Sequence, residues 1–286
     1  MSTCELIDTF PSFLNYWKKF HNAPLAEQIE GWKNEYMSGW PELLRKQVED
    51  YAEQSLDWKQ VAREKVFPFL DERMVAMHAA RKNIASQCKS IHSKVQKKLQ
   101  FESDVLFVIY VGIGCGAGWV TTFQNSLAIL FGLENIAECG WSDAKSLSGL
   151  IAHELGHVAH IHWREKQGKL FGSGPWWQLY SEGFAQRCET LINGMESWHE
   201  ANNDPDWLAW CQQHKSWLAT EFLQVVDSGK PTASFFGSWH NIQGKSQTGY
   251  FLGHEIIREL ESTYRLEEIA LLDDFENVAK AILKKV

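Results

Sequence analysis

The chain has 286 residues, enough for one or two domains with a sizeable core, and its 28 Lys and Arg against 36 Asp and Glu leave a formal charge of -8. That balance repels phosphate backbones and excludes a general nucleic-acid binder. A hydrophobic share of 44% with 22% charged residues excludes a largely disordered chain.

The segment MSTCELIDTFPSFLNYWKKF lacks a basic stretch followed by an unbroken apolar run. Nowhere do about 18 apolar residues run together, so neither a signal peptide nor a membrane span is expected. Cys4, Cys88, Cys115, Cys139, Cys188 and Cys211 show no C-x-x-C spacing. A chain of this size needs no disulfide staples, so a reduced, cytoplasmic setting is expected.

Residues 22–100 read as successive helices. Asn22 is the expected cap and Pro24 the first turn of one, with Leu25, Ile29, Trp32 and Tyr36 at helical spacing. After Gly39 and Pro41, Leu44, Val48 and Tyr51 continue the pattern. Beyond Pro68, an apolar stripe from Leu70 to Leu99 predicts a longer helix.

The period changes near residue 104. Residues 105–111, VLFVIYV, read as a buried strand, and 119–123 and 127–131 as two short ones. Between them lies the glycine-rich GIGCGAG, in the order G-x-G-x-G-x-G. Phosphate-binding loops open a helix, whereas a strand-like run follows here, so phosphate binding is not the favoured reading.

Helix returns from Ser142 or Asp143 towards Gly168, and another holds Tyr180 to Leu191. Beyond Pro205, one amphipathic helix is expected through Val226, then two more over 249–264 and 275–283. The predicted class is α+β and mostly helical: an N-terminal helical region over 1–100, then a domain over 101–286 with a small mixed sheet.

Residues 153–157, HELGH, carry the chemistry. His153 and His157, four apart, project from one helix face and can share one metal ion. Glu154 points about 100° round from His153, towards a water on the metal, where a general base belongs. His160 lies about 10.5 Å along the helix from His153, too far to ligate the same ion. His160 and His162 read as helix-face or C-terminal histidines. The metzincin pattern needs Gly at 160 and His or Asp at 163, and the chain has His160 and Trp163.

A catalytic site leaves one position for water, so the third ligand comes from another element. Glu182, in the first turn of the next predicted helix, fits, and Gly183 and Ala185 would let that helix approach the histidine helix closely. HELGH followed by SEGFA at 181–185 resembles the gluzincin class of zinc metallopeptidases, where the Glu of an N-E-G-F-A-type segment is a zinc ligand. The likeness covers roughly residues 104–195. It implies a zincin-like catalytic domain with one Zn²⁺ per chain on His153, His157 and Glu182. It also implies that the strand region 119–131 runs along the cleft, where an extended peptide could add to a free edge.

The chain departs from that pattern twice. Between His157 and Glu182 stand 24 residues, more than in thermolysin-like or aminopeptidase-like members, and Gln186 replaces an acid that orients a zinc histidine. Glu189 is an alternative ligand or orienting group. For the charge on the carbonyl oxygen, Tyr250 in G-Y-x-x-G is the candidate and His240 its rival. That segment is similar to one in a family of predicted zinc-dependent proteases carrying H-E-x-x-H.

The expected function is therefore peptide-bond hydrolysis by a zinc-activated water with Glu154 as base, acting on a peptide or protein substrate with no nucleic acid or membrane involved. Two alternatives stand beside it: a zinc-binding regulatory or interaction protein without turnover, and a zinc hydrolase of other amides or esters. Oligomeric state, substrate and cleavage mode leave no mark in the sequence.

Overall fold

The computed structural model describes residues 3–201, 204–237 and 239–285. Its first element, strand β1 (Cys4–Asp8), has no counterpart in the sequence reading. β1 lies parallel to β2 (Val105–Tyr110), with Cys4 opposite Val105 and Asp8 opposite Ile109. Every residue of β2 is buried, which explains its unbroken apolar run. β3 (Trp119–Phe123) and β4 (Ser126–Gly132) form a hairpin whose two turn residues, Gln124 and Asn125, both have positive φ. Such turns match the twist of paired strands. The sheet order is β1-β2-β4-β3, with β3 antiparallel on the edge and the other pairs parallel.

Helices α1 (Phe10–Phe20), α2 (Leu25–Gly31), α3 (Pro41–Glu53), α4 (Trp58–Val61) and α5 (Leu70–Leu99) follow β1. Pro24, not Asn22, is the residue flanking α2, and Asn22 lies in the turn before it. Trp32 donates its indole N–H to the Val111 carbonyl at 3.0 Å, and the Tyr51 hydroxyl donates to the Ile113 carbonyl at 2.7 Å. Each buried polar tip thus finds a partner at the end of β2.

The glycine loop after β2 has its own anion. Glu134, in α6 (Leu133–Glu138), is fully buried, and its carboxylate accepts the N–H groups of Gly112 at 2.7 Å and Gly114 at 3.1 Å. An internal carboxylate therefore fills the amide cradle that a phosphate would need. Burial outweighs those bonds and pushes its pKa up to about 7.

The remaining helices are α7 (Ala144–Lys166), α8 (Gly174–Asn193), α9 (Trp207–Gln213), α10 (Lys215–Asp227), α11 (Ala233–Phe236), α12 (Thr248–Leu260), α13 (Leu266–Ala270) and α14 (Phe275–Leu283). The single helix expected beyond Pro205 is two, divided at His214, whose ψ of 15° leaves the helical region. Asp143 caps α7 by accepting the N–H groups of Lys145 at 2.8 Å and Ser146 at 3.1 Å.

Two compact units result, Met1–Ile91 with Asp104–Leu147, and His92–Ser103 with Ser148–Val286. This differs from the expected division into 1–100 and 101–286. Pairing with β2 ties β1 and the N-terminal segment to the sheet, and the first unit ends at Leu147. The fold is α+β and mostly helical with a mixed four-stranded sheet. Among the described residues, no helix is long and apolar enough to cross a membrane.

Candidate metal centre

Every residue of the centre belongs to the second unit, on α7, α8, the short 3-10 turn His199–Ala201, and α12. Helices α7 and α8 come close where Gly156 faces Ala185 and Cys188. A Cβ on Gly156 would stand 2.9 Å from the Ala185 Cα and 2.8 Å from the Cys188 Cβ. Gly183, expected to serve the same contact, faces α12 instead, where its Cβ would fall 2.2 Å from the Gly253 carbonyl carbon. The small residues of SEGFA thus divide between two neighbouring helices, Ala185 towards α7 and Gly183 towards α12.

His153 Nε2 and His157 Nε2 converge on one oxygen, Glu182 Oε2, at 3.1 and 3.3 Å. Ligands on a tetrahedral zinc with bonds of 2.0 to 2.1 Å lie about 3.4 Å apart, so the three atoms have the spacing of such a site. The other ring nitrogens are occupied. His153 Nδ1–H donates to Gln186 Oε1 at 3.3 Å, and the Gln186 amide is oriented by donating to the Ser197 carbonyl at 3.2 Å. His157 Nδ1 pairs with Ser181 Oγ at 3.1 Å. With its hydrogen on Nδ1, His153 presents a lone pair at Nε2 towards a carboxylate oxygen, and a cation between them satisfies both.

Charge follows the same logic. Burial pushes the His153 pKa down to about 4 even though Glu182 pulls it up. Burial also opposes a charge on His157, but the Glu182 carboxylate outweighs it and raises His157. Burial acts against ionisation of Glu182 as well, yet the two imidazoles hold it below the usual carboxylate range.

Glu154, the predicted base, is buried, and its Oε2 has no hydrogen-bond partner among the described residues. Burial lifts its pKa to about 7. The Tyr250 ring lies 5.5 Å from the His153 ring. His240 is exposed in the turn after α11, where its backbone N–H donates to the Gly237 carbonyl. Tyr250 thus packs against the His153 ring, while His240 is exposed.

Glu189 is neither a ligand of this group nor an exposed helix carboxylate. It is fully buried, accepts the Ser197 hydroxyl at 2.8 Å and the His199 N–H at 3.1 Å, and holds His199 Nδ1 at 2.6 Å. The His199 ring stands edge-on to that of His153, centroids 5.0 Å apart. His160 is buried against Trp177, Tyr180 and Phe184 at 4.6 to 5.4 Å, and burial keeps it neutral, down to about 3. His162 rests on Phe101. Both pack against aromatic rings, and His160 is buried rather than on an exposed helix face.

Ser181, His199 and Glu200 were not anticipated. Ser181 carried a signal, since it precedes Glu182 on the same helix turn. His199 and Glu200 lie beyond the end of α8, and only the return of the chain against Glu189 brings them in.

The chain matches no protein-family model, no curated protein and no solved structure.

Proposed function

We propose that the chain is a zinc-dependent hydrolase of peptide bonds, with a zincin-like catalytic region and one zinc per chain. The observation that carries this reading is the convergence of His153 Nε2 and His157 Nε2 on Glu182 Oε2, next to a buried glutamate with an unpartnered oxygen. A site serving structure alone favours four protein ligands and has no use for that glutamate.

When bound, zinc supplies Lewis acidity towards a carbonyl oxygen and a water of lowered pKa. His153, His157 and Glu182 hold the ion, while Gln186 and Ser181 fix the two rings by their Nδ1 atoms. Glu154 takes the proton of the attacking water and returns it to the leaving nitrogen. A carboxyl raised by burial towards neutrality suits both halves of that task. Tyr250, whose ring packs against that of His153, is our candidate for the charge developing on the carbonyl oxygen.

The test is a panel of peptides, non-peptide amides and esters, run with and without a chelator and on Glu154→Gln. Chelator-sensitive peptide cleavage lost in the variant supports the reading. Cleavage of esters or other amides alone moves it to the second class of hydrolase, and zinc binding without turnover to an interaction protein.

A further inference from the structure

A second group of described residues also brings ligating atoms together: His153, His199 and Glu200 each offer an atom within 4.8 Å of the others. Both nitrogens of His153 serve the first group, Nδ1 through Gln186 and Nε2 through Glu182. The other two members form a pair of their own. Glu189 Oε2 holds the Nδ1 edge of His199, and Nε2 lies 3.6 Å from Glu200 Oε1. That separation is close to the roughly 3.4 Å between two ligands on one tetrahedral ion.

The independent observation is Glu200 itself. Its side chain is fully buried, and both carboxylate oxygens lack a hydrogen-bond partner among the described residues. The oxygens of a buried carboxyl are ordinarily hydrogen-bonded, ion-paired or bound to a metal. Glu189 does not relieve it. Two buried carboxylates flank one imidazole, and Glu189 already takes the Nδ1 side of that ring together with Ser197 and the His199 amide. A carboxylate bonded to the far nitrogen of a histidine is also the usual means of fixing a ligand histidine and raising its basicity.

We propose that His199 Nε2 and the Glu200 carboxylate hold a second divalent cation beside the first, with water completing its coordination. The cation gives the Glu200 carboxylate the partner that its oxygens lack among the described residues. With two protein ligands rather than three, this position binds more weakly than the first and fills when zinc is in excess. It rests on its own residues and not on the hydrolase reading.

Equilibrium dialysis against rising zinc chloride tests it, with metal counted per chain and folding followed by circular dichroism. The proteins are wild type, His199→Ala, Glu200→Gln and Glu182→Ala. Wild type is expected to take a tight ion and then a weaker one. His199→Ala and Glu200→Gln each stop at the tight ion, and Glu182→Ala keeps only the weak one. Glu200→Gln preserves the shape of a side chain whose oxygens have no hydrogen-bond partner among the described residues, so it folds even if His199→Ala does not. Wild type saturating at one ion, or Glu200→Gln still taking two, overturns the second site. Zinc on exposed histidines survives Glu200→Gln and so counts against the proposal. Equal tight binding by wild type and Glu182→Ala rejects the first group instead, so the two claims fail on different variants.

Discussion

The His153 Nδ1–H donates to Gln186 Oε1 at 3.3 Å, so an uncharged amide fixes this imidazole. Gln186 stands one helical turn after Glu182 and Glu189 one turn further, so a single face of α8 presents the Glu182 carboxylate, the amide bonded to His153 and the carboxylate of the His199 pair. Removing the amide frees the imidazole to rotate and to change tautomer. Gln186→Ala is expected to weaken zinc binding about 10- to 100-fold with the fold intact, and Gln186→Glu to restore or strengthen it. Competition with a chromophoric chelator measures both. Unchanged affinity in Gln186→Ala would mean that the hydrogen bond orients nothing.

Glu154 is not among the ligands, so its replacement separates binding from turnover. Glu154→Gln should retain zinc at the wild-type level and lose roughly 10²- to 10⁴-fold in kcat on whichever substrate the panel identifies. Full activity in that variant would remove Glu154 as the base.

The close approach of α8 and α12 tolerates no side chain at Gly183. A Cβ there falls 2.2 Å from the backbone of Gly253, which cannot move aside as a side chain could. Gly183→Ala is expected to cost about 3 kcal/mol or more in urea unfolding and to lower zinc affinity with it, because Glu182 is the adjacent residue. A variant of wild-type stability would show that the helices are not in contact at this point.

Glu134 links stability to pH. Its pKa is about 7 in the folded chain against 4.5 for a free carboxyl, so the native state prefers the protonated form. The stabilisation is complete below pH 4.5 and is lost as pH rises through 7, by up to roughly 3 kcal/mol. Glu134→Ala should remove that dependence and, by orphaning the Gly112 and Gly114 amides, destabilise by a further 2 to 6 kcal/mol, on the order of 1 to 3 for each. Urea midpoints of the two proteins between pH 4.5 and 8 check both effects; parallel curves would contradict them.

What was legible in the sequence follows from local periodicity. The four-residue step from His153 to His157 defines a helix face by itself, and the β-branched run of β2 reveals a strand without knowledge of its partners. What was not legible depends on distant partners. Strand β1 has a five-residue pattern with no strong alternation, and it is a strand because β2 lies beside it. Gln186 reads as the loss of an orienting acid until the Ser197 carbonyl is seen to turn its amide. His199 and Glu200 are ordinary residues of a loop until Gly194, with φ of 105°, ends α8 and the chain turns back towards Glu189.

The central claim is that His153, His157 and Glu182 hold one zinc ion, and elemental analysis tests it most directly. Wild-type protein and Glu182→Ala are loaded with zinc, dialysed to remove loosely held metal, and counted. About one zinc per chain in wild type and almost none in the folded variant is the predicted result. No zinc in folded wild type after loading, or equal zinc in both, would contradict the account.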